Sequence, residues 1–169
     1  MKYLYFAFIL ISLLFSSCSS SKKTVSESNY DYLIGKTYID YDDIGHFDYL
    51  SGYLLDPTSS DYKMIGFRLS DKTILILFSK NIGDKNGRIV WQILDYVVGP
   101  KKAYFDHWCC KILDTDKFDR ESFAFINYSL FSKKENFLLY RANRKEEKII
   151  EIDIIECNDR SFLKGRMIN

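Results

Sequence analysis

The sequence has little proline, alanine or histidine, and its charges nearly cancel. Two prolines and two histidines occur in 169 residues, and 24 Lys and Arg residues face 23 Asp and Glu residues. Because there is no basic excess of the kind that nucleic-acid binding requires, we expect no nucleic-acid partner. The scarcity of proline, together with an aromatic content of 17%, favours β-sheets.

The sequence also lacks the motifs of common catalytic and metal sites. The patterns GxSxG, HExxH and CxxC and the glycine-rich phosphate loop are all missing. His107 follows Asp106, but neighbours on a strand point to opposite faces and cannot relay a proton as a pair. Cys109 has no evident base to activate it as a nucleophile. We therefore predict no catalytic residue, no metal ligand and no cofactor.

The only long hydrophobic run lies at the N-terminus. It extends from Tyr3 to Phe15 after the positive Lys2, and it is shorter than the roughly 20 residues of a membrane-spanning helix. Together with the small residues Ser16 and Ser17, this pattern is typical of a secretory signal peptide. We therefore predict that residues 1–17 are removed, which would lower the formal net charge from +1 to zero.

The end of this signal, Phe15-Ser16-Ser17-Cys18, resembles the lipobox of bacterial lipoproteins in the relaxed form found in Bacteroidota. The resemblance implies cleavage before Cys18 and lipidation of its sulfur, so that the lipid bilayer becomes a partner of the chain. An ordinary secretory signal that leaves Cys18 as a thiol is the alternative. Residues 18–29 then form a flexible polar linker, because serine-rich tracts bury too little surface to fold.

The position of the predicted anchor indicates where the protein works. No acidic run follows Cys18, whereas such a run resembles a surface-export signal in Bacteroidota lipoproteins. We therefore expect a lipid-anchored protein of the cell envelope on the periplasmic face of the outer membrane.

Residues 30–169 predict a single globular domain rich in β-strands. Apolar runs flank Ser70-Asp71 as in a hairpin, and the second run, Ile74 to Phe78, is apolar on both faces like a central strand. Alternating apolar residues predict further strands at 88–98 and 103–113, and another strand is predicted at 122–131. A final hairpin with alternating residues is predicted at 137–155, and the turns are predicted at 81–87, 114–121 and 145–147.

These elements predict a mainly β fold, an antiparallel meander that forms a small barrel or a sandwich. A short helix within residues 30–62 would make the domain α+β instead. From Gly66 onward the layout is similar to small uncharacterised secreted bacterial proteins built from the same hairpins, and this resemblance implies no activity. Trp91 and Trp108 each lie on the apolar face of an alternating strand, so both are predicted to be core residues.

Acidic residues crowd around His46 in the first part of the domain. Asp40, Asp42, Asp43 and Asp48 all lie within eight positions of it. Their spacing matches no known metal-binding loop, so we interpret the segment as a solvated acidic loop.

The cysteines leave an odd number once Cys18 is lipidated. Cys109, Cys110 and Cys157 would remain in an oxidising compartment. Cys110 shares a strand face with Trp108 and is predicted to pair with Cys157. The alternative is that all three stay reduced as small apolar residues.

Two classes of function fit this sequence. The first is a membrane-tethered, non-catalytic module that binds an envelope protein or takes part in envelope assembly. The second is a hydrolase of cell-wall or glycan material that uses paired carboxylates such as Asp40, Asp42 or Asp95. A cleft with two facing carboxylates would favour the hydrolase.

Overall fold

The computed structural model describes residues 29–107, 110–111, 118–128 and 135–153. Its strands are β1 (Thr37–Tyr38), β2 (Asp48–Asp56), β3 (Ser59–Arg68), β4 (Ile74–Lys85), β5 (Arg88–Val98), β6 (Tyr104–His107), β7 (Cys110–Lys111), β8 (Phe118–Asp119), β9 (Ser122–Tyr128), β10 (Glu135–Asn143) and β11 (Lys148–Ile152). None of the helices in these ranges is long and apolar enough to cross a membrane.

The strands form two antiparallel sheets and one short pair. The first sheet has the order β1-β5-β4-β3-β2, the second has the order β11-β10-β9-β6, and β7 pairs with β8. The predicted mainly β fold is confirmed. The two sheets form a sandwich and do not close into a barrel, since β2 and β6 each end a sheet.

Strand β4 shows why the first sheet lies at the centre of the molecule. Residues 74–79 are all buried, as predicted for a central strand. Leu75 and Leu77 point into a core on the outer face of the sheet, while Ile76 and Phe78 point into the core between the sheets. Because side chains alternate along a strand, one apolar run serves two cores.

The N-terminal part of the domain covers the outer face of the first sheet. Leu33, Tyr38 and Ile44 come from residues 30–47 and pack with Phe67 and Trp91 in one core. The α+β alternative is wrong for this segment, which contains two single-turn 3₁₀ helices, Asp31–Leu33 and Tyr41–Asp43. Such short turns let apolar side chains reach the sheet without the length that an α-helix needs.

The second sheet completes the sandwich with aromatic side chains. Phe123 and Phe125 are fully buried against the first sheet, and the Phe123 ring stacks on Tyr140 with 5.5 Å between centroids. On the opposite face, Ala124 and Leu139 pack in a smaller core that includes Cys110. The strand predicted at 122–131 is therefore present as β9 over Ser122–Tyr128, and its side chains alternate between the two cores.

The turn predicted at 81–87 is shorter than expected. Strand β4 continues to Lys85, and only Asn86 and Gly87 form the tip, with φ values of 58° and 76°. Such values are typical of a two-residue type I′ hairpin. Gly83 has φ 138° at a shift in the β4–β5 register, so it accommodates a bulge and does not end the strand.

The single strand predicted at 103–113 is divided between two sheets, which corrects the prediction. Strand β6 pairs with β9, whereas β7 pairs with Phe118–Asp119 of β8, inside the predicted turn 114–121. The backbone N–H of Cys110 donates to the Ser122 hydroxyl at 3.0 Å, which draws β7 across the end of β9. Trp108 lies outside the described residues.

The final hairpin has its tip where predicted and contacts the first sheet through polar groups. Residues 144–147 form the turn, and Glu147 accepts a hydrogen bond from Lys80 at 2.5 Å. Beyond the turn, the Ile149 N–H donates to the Asp95 carboxylate at 2.7 Å. These contacts fix the second sheet across β4 and β5.

Candidate functional site

A cavity of about 610 Å³ opens between the edge strands of the two sheets. It is bounded by β2 on one side and by β6 on the other, and we call it the seam pocket. Ligand pockets in proteins commonly measure 300–1,000 Å³. Its apolar lining consists of Leu50, Ile74, Ala103 and Phe105.

Three cations stand on the rim of the seam pocket. They are Arg68 at the end of β3, Lys72 in the β3–β4 turn and Lys102 in the β5–β6 turn, and we call them the cationic rim. Within the described ranges, none of the three forms an ion pair with a carboxylate. No Asp or Glu is among the described residues that line the pocket.

The backbone of the two turns brings the lysines of the rim together. Lys102 N–H donates to the Lys72 carbonyl at 3.3 Å, which links the turns directly. Both lysines adopt left-handed conformations, with φ of 67° at Lys72 and 61° at Lys102. Glycine or asparagine fits such positions at lower cost, and backbone strain of this kind clusters at functional sites.

Gly99 sets the path of the β5–β6 turn. Its N–H donates to the Ile74 carbonyl at 2.8 Å, and a Cβ at this position would lie 2.4 Å from the Phe125 ring. Only glycine permits this approach, so the residue holds the start of the turn against both sheets.

Asp71, next to Lys72 in the β3–β4 turn, is a carboxylate that Thr73 and Lys101 contact. Asp71 accepts hydrogen bonds from the Thr73 hydroxyl at 2.6 Å and the Thr73 N–H at 3.0 Å, and it lies 3.6 Å from the Lys101 ammonium. These hydrogen bonds, with a smaller effect of Lys101, lower the pKa of Asp71. Asp71 therefore stays ionised next to Lys72 and offsets part of the positive charge of the rim.

Strand β2 supplies an irregular wall. Its register with β3 shifts between Tyr49 and Ser51, so Leu50 is the additional residue of a bulge and lines the pocket. Bulges often redirect side chains next to binding sites. The Ser51 hydroxyl oxygen is buried in the wall and has no hydrogen-bond partner among the described residues.

A second unusual group lies on the outer face of the first sheet. Lys63, on β3, is only 8% exposed, and its Nζ lies 4.1 Å from the Trp91 ring, 4.6 Å from Tyr38 and 5.4 Å from Tyr41. We call these three rings the aromatic box. Burial lowers the pKa of Lys63 to about 8, and it raises the pKa of Tyr38, whose hydroxyl donates to Ser79 at 3.0 Å.

The Lys63 side chain already fills the aromatic box. Cation–π contacts of this geometry stabilise the Lys63 ammonium where a carboxylate would otherwise be needed. The box therefore supports the core and offers no vacant binding space.

The carboxylates considered for hydrolysis are not brought together at the seam pocket. Asp40 pairs with Arg88 beside the 3₁₀ turn that also contains Asp42. Asp95 accepts N–H groups from Tyr96 and Ile149 and so reaches the second sheet. These contacts give Asp40 and Asp95 structural roles at separate places.

The acidic segment around His46 forms a capped turn. Asp43 accepts the N–H groups of Ile39 at 2.9 Å and Asp40 at 3.0 Å, and these bonds lower its pKa. In the part of the chain that the structure describes, no three His, Cys, Asp or Glu residues are grouped as metal ligands.

The other predicted site residues lie mostly outside the described ranges. Cys18, Cys109 and Cys157 belong to this group. Cys110 is 1% exposed and disulfide-bonded, and its partner is not among the described residues, so pairing with Cys157 stays a prediction. His107 lies in the seam pocket, with its ring 5.2 Å from Tyr53.

Sequence reasoning missed the seam pocket and the aromatic box. The available signals were Lys72 and Lys102, each placed in a tight turn, and Lys63, which shares a strand face with Ile65 and Phe67. No family model, curated protein or solved structure was found to match the chain in the comparisons made with each.

Proposed function

We propose that the protein is a membrane-tethered, non-catalytic binding module of the cell envelope that captures a partner protein at the seam pocket. The tether is Cys18, carrying lipid after removal of residues 1–17, with residues 18–29 as the linker. The working location is the periplasmic face of the outer membrane.

The observation that carries the proposal is the combination of a cationic rim and an apolar lining. Arg68, Lys72 and Lys102 are exposed and free of ion pairs to described residues, so their charges are available to a partner. Tyr104, beside them on β6, is 63% exposed. Arginine and tyrosine are enriched among the residues that dominate protein–protein binding energies.

Two positions on the sandwich allow a matched test in intact cells. A photo-crosslinking amino acid replaces Tyr104 at the seam or Ile82 near the tip of the β4–β5 hairpin, which is 48% exposed. Ile82 lies eight residues along β4 from the pocket residue Ile74, or about 26 Å at 3.3 Å per residue. We expect a specific crosslinked band from position 104 and none from position 82. Equal labelling at both positions, or none at position 104, would contradict the proposal.

A further inference from the structure

The seam pocket restricts the chemistry of what can enter it. It presents the three exposed cations of the rim and an apolar lining formed by Leu50, Ile74, Ala103 and Phe105. An apolar group alone would leave the rim unmatched, and an inorganic anion alone would leave the lining in water. The complementary ligand is an organic anion with an apolar body.

We infer that the seam pocket binds a carboxylate carried beside an apolar side chain on the partner protein, with the carboxylate at the cationic rim and the apolar group inside. This inference rests on the proposed function and names the chemistry of the recognised group. Arg68 offers a planar fork of N–H donors that matches a carboxylate, while the two lysines contribute point charges.

The edge position of β2 favours a peptide over a lipid as the source of the carboxylate. Strand β2 ends the first sheet, so one side of its backbone has no neighbouring strand among the described residues. An extended peptide can match backbone N–H and C=O groups at such an edge, whereas an acyl chain has none to offer. The bulge at Leu50 places the pocket next to this edge.

The backbones of the two rim turns are held in place next to each other. Lys72 and Lys102 both keep a charged side chain in a conformation that glycine would adopt more easily. The hydrogen bond between their turns fixes the two backbones relative to one another. The two lysines therefore project from backbones that are fixed relative to each other, which limits the positions that their ammonium groups can reach.

The test uses small probes that separate the contribution of the negative charge from that of the apolar body. N-acetylphenylalanine carries a carboxylate on an aromatic body, and its amide keeps the body without the charge. Octyl phosphate represents a lipid source, and acetate represents the charge alone. Binding to the purified protein is followed through amide chemical shifts, with attention to residues 51, 72 and 102.

We expect N-acetylphenylalanine to bind with Kd on the order of 1 mM, as its size allows. The amide and acetate should each bind at least about tenfold more weakly, which corresponds to 1.4 kcal/mol. Lys72→Gln combined with Lys102→Gln should reduce the affinity for N-acetylphenylalanine by a similar factor. Lys85→Gln, at the far end of β4, is the matched control and should leave it unchanged.

Each other outcome overturns the inference in a distinct way. Equal binding of the acid and the amide would show that the rim does not recognise charge. Tighter binding of octyl phosphate than of N-acetylphenylalanine would assign the pocket to a lipid. If no probe binds while position 104 still crosslinks, the carboxylate inference fails and the proposed function stands. If both results are negative, both fail.

Discussion

Lys63 shows how one charged residue is kept inside an otherwise apolar core. Its ammonium lies between the rings of Trp91, Tyr38 and Tyr41 without an ion pair to any described carboxylate. Burial disfavours the charged form, whereas the ring faces attract it. Burial lowers the pKa of Lys63 to about 8, so this ammonium loses its proton more easily than that of an exposed lysine.

The direction in which stability changes with pH follows from the protonation of Lys63 in the folded and the unfolded chain. The unfolded chain keeps the Lys63 proton up to about pH 10.4, whereas the folded protein begins to lose it near pH 8. Because the unfolded state then binds more protons, the contribution of Lys63 to stability rises with pH between these values.

The Lys63→Met variant tests this expectation. At pH 7 the variant should be more stable than the native protein by about 1 to 3 kcal/mol, since it removes a buried charge and retains the volume. The difference should shrink as the pH is raised from 7 to 9.5. Urea unfolding of both proteins measures it, and a difference that stays constant or grows with pH would contradict the assignment.

Trp91 carries much of the outer core and is 6% exposed. Trp91→Ala should lower the free energy of unfolding by about 3 to 5 kcal/mol, because it opens a cavity and removes one wall of the aromatic box. Tyr104→Ala, at an exposed position, should change it by no more than about 0.5 kcal/mol. Thermal unfolding followed by circular dichroism compares the two, and an unchanged melting temperature for Trp91→Ala would refute the assigned strand face.

At the residue scale, the sequence correctly predicted that Trp91 is buried, but it did not predict the contacts between Lys63 and the aromatic rings. The alternation of Ile89, Trp91 and Ile93 correctly placed Trp91 in a core. The same reasoning could not identify the rings around Lys63, because they come from β1, β5 and a 3₁₀ turn. Their proximity depends on how the N-terminal segment crosses the sheet.

At the scale of elements, the turns are where this chain departs from local preference. The β3–β4 and β5–β6 turns each place a lysine at positive φ, whereas the β4–β5 turn uses Asn86 and Gly87, which suit that conformation. The first two turns form the rim of the seam pocket, and the third is distant from it. The β10–β11 turn also places a charged residue, Glu147, at positive φ (55°), and it lies outside the pocket lining, so positive φ is not confined to the proposed site.

Replacing Lys72 with glycine tests whether the backbone at this position is strained. Lys72→Gly should raise the free energy of unfolding by up to about 1 kcal/mol, because glycine adopts φ near 67° without steric cost. Lys85→Gly, at the last residue of β4, should lower it by about 0.5 to 1 kcal/mol, because glycine loses more backbone freedom in a strand. Chemical denaturation of both variants decides this, and destabilisation by Lys72→Gly would disprove the strain.

The sequence predicted most strands, and it failed where tertiary contacts decide their bounds. The apolar run Ile74 to Phe78 identified β4, but its exposed extension to Lys85 depends on pairing with β5 across a bulge. Residues 103–113 were predicted as one strand because their alternation is continuous. Local alternation does not determine which sheet each half joins.

At the scale of the whole molecule, the two sheets meet along their faces and leave an opening at one side. The seam pocket combines Leu50 from β2, Lys72 from one turn and Lys102 from another. No strand was predicted within residues 30–62, so β2 itself was missed, as was the position of β2 and β6 at the edges of their sheets. The site therefore could not be predicted from motifs, since it contains none.

The proposed lipid tether also concerns the whole molecule. We expect the protein extracted from membranes to lack residues 1–17 and to carry acyl mass on Cys18. Two or more acyl chains would hold the protein stably at the bilayer, because each buried CH₂ contributes about 0.8 kcal/mol. Intact mass spectrometry tests this, and a soluble product with a different N-terminus would contradict it.

The most direct measurement of the central claim combines the crosslinker at position 104 with charge reversal. Lys72→Glu with Lys102→Glu is compared in intact cells with Lys85→Glu, which reverses a charge at the far end of β4. If the cationic rim captures the partner, the crosslinked band should fall by at least about tenfold in the first variant and persist in the second. A band that survives reversal of both rim lysines at full intensity would show that the seam pocket does not recognise its partner by charge.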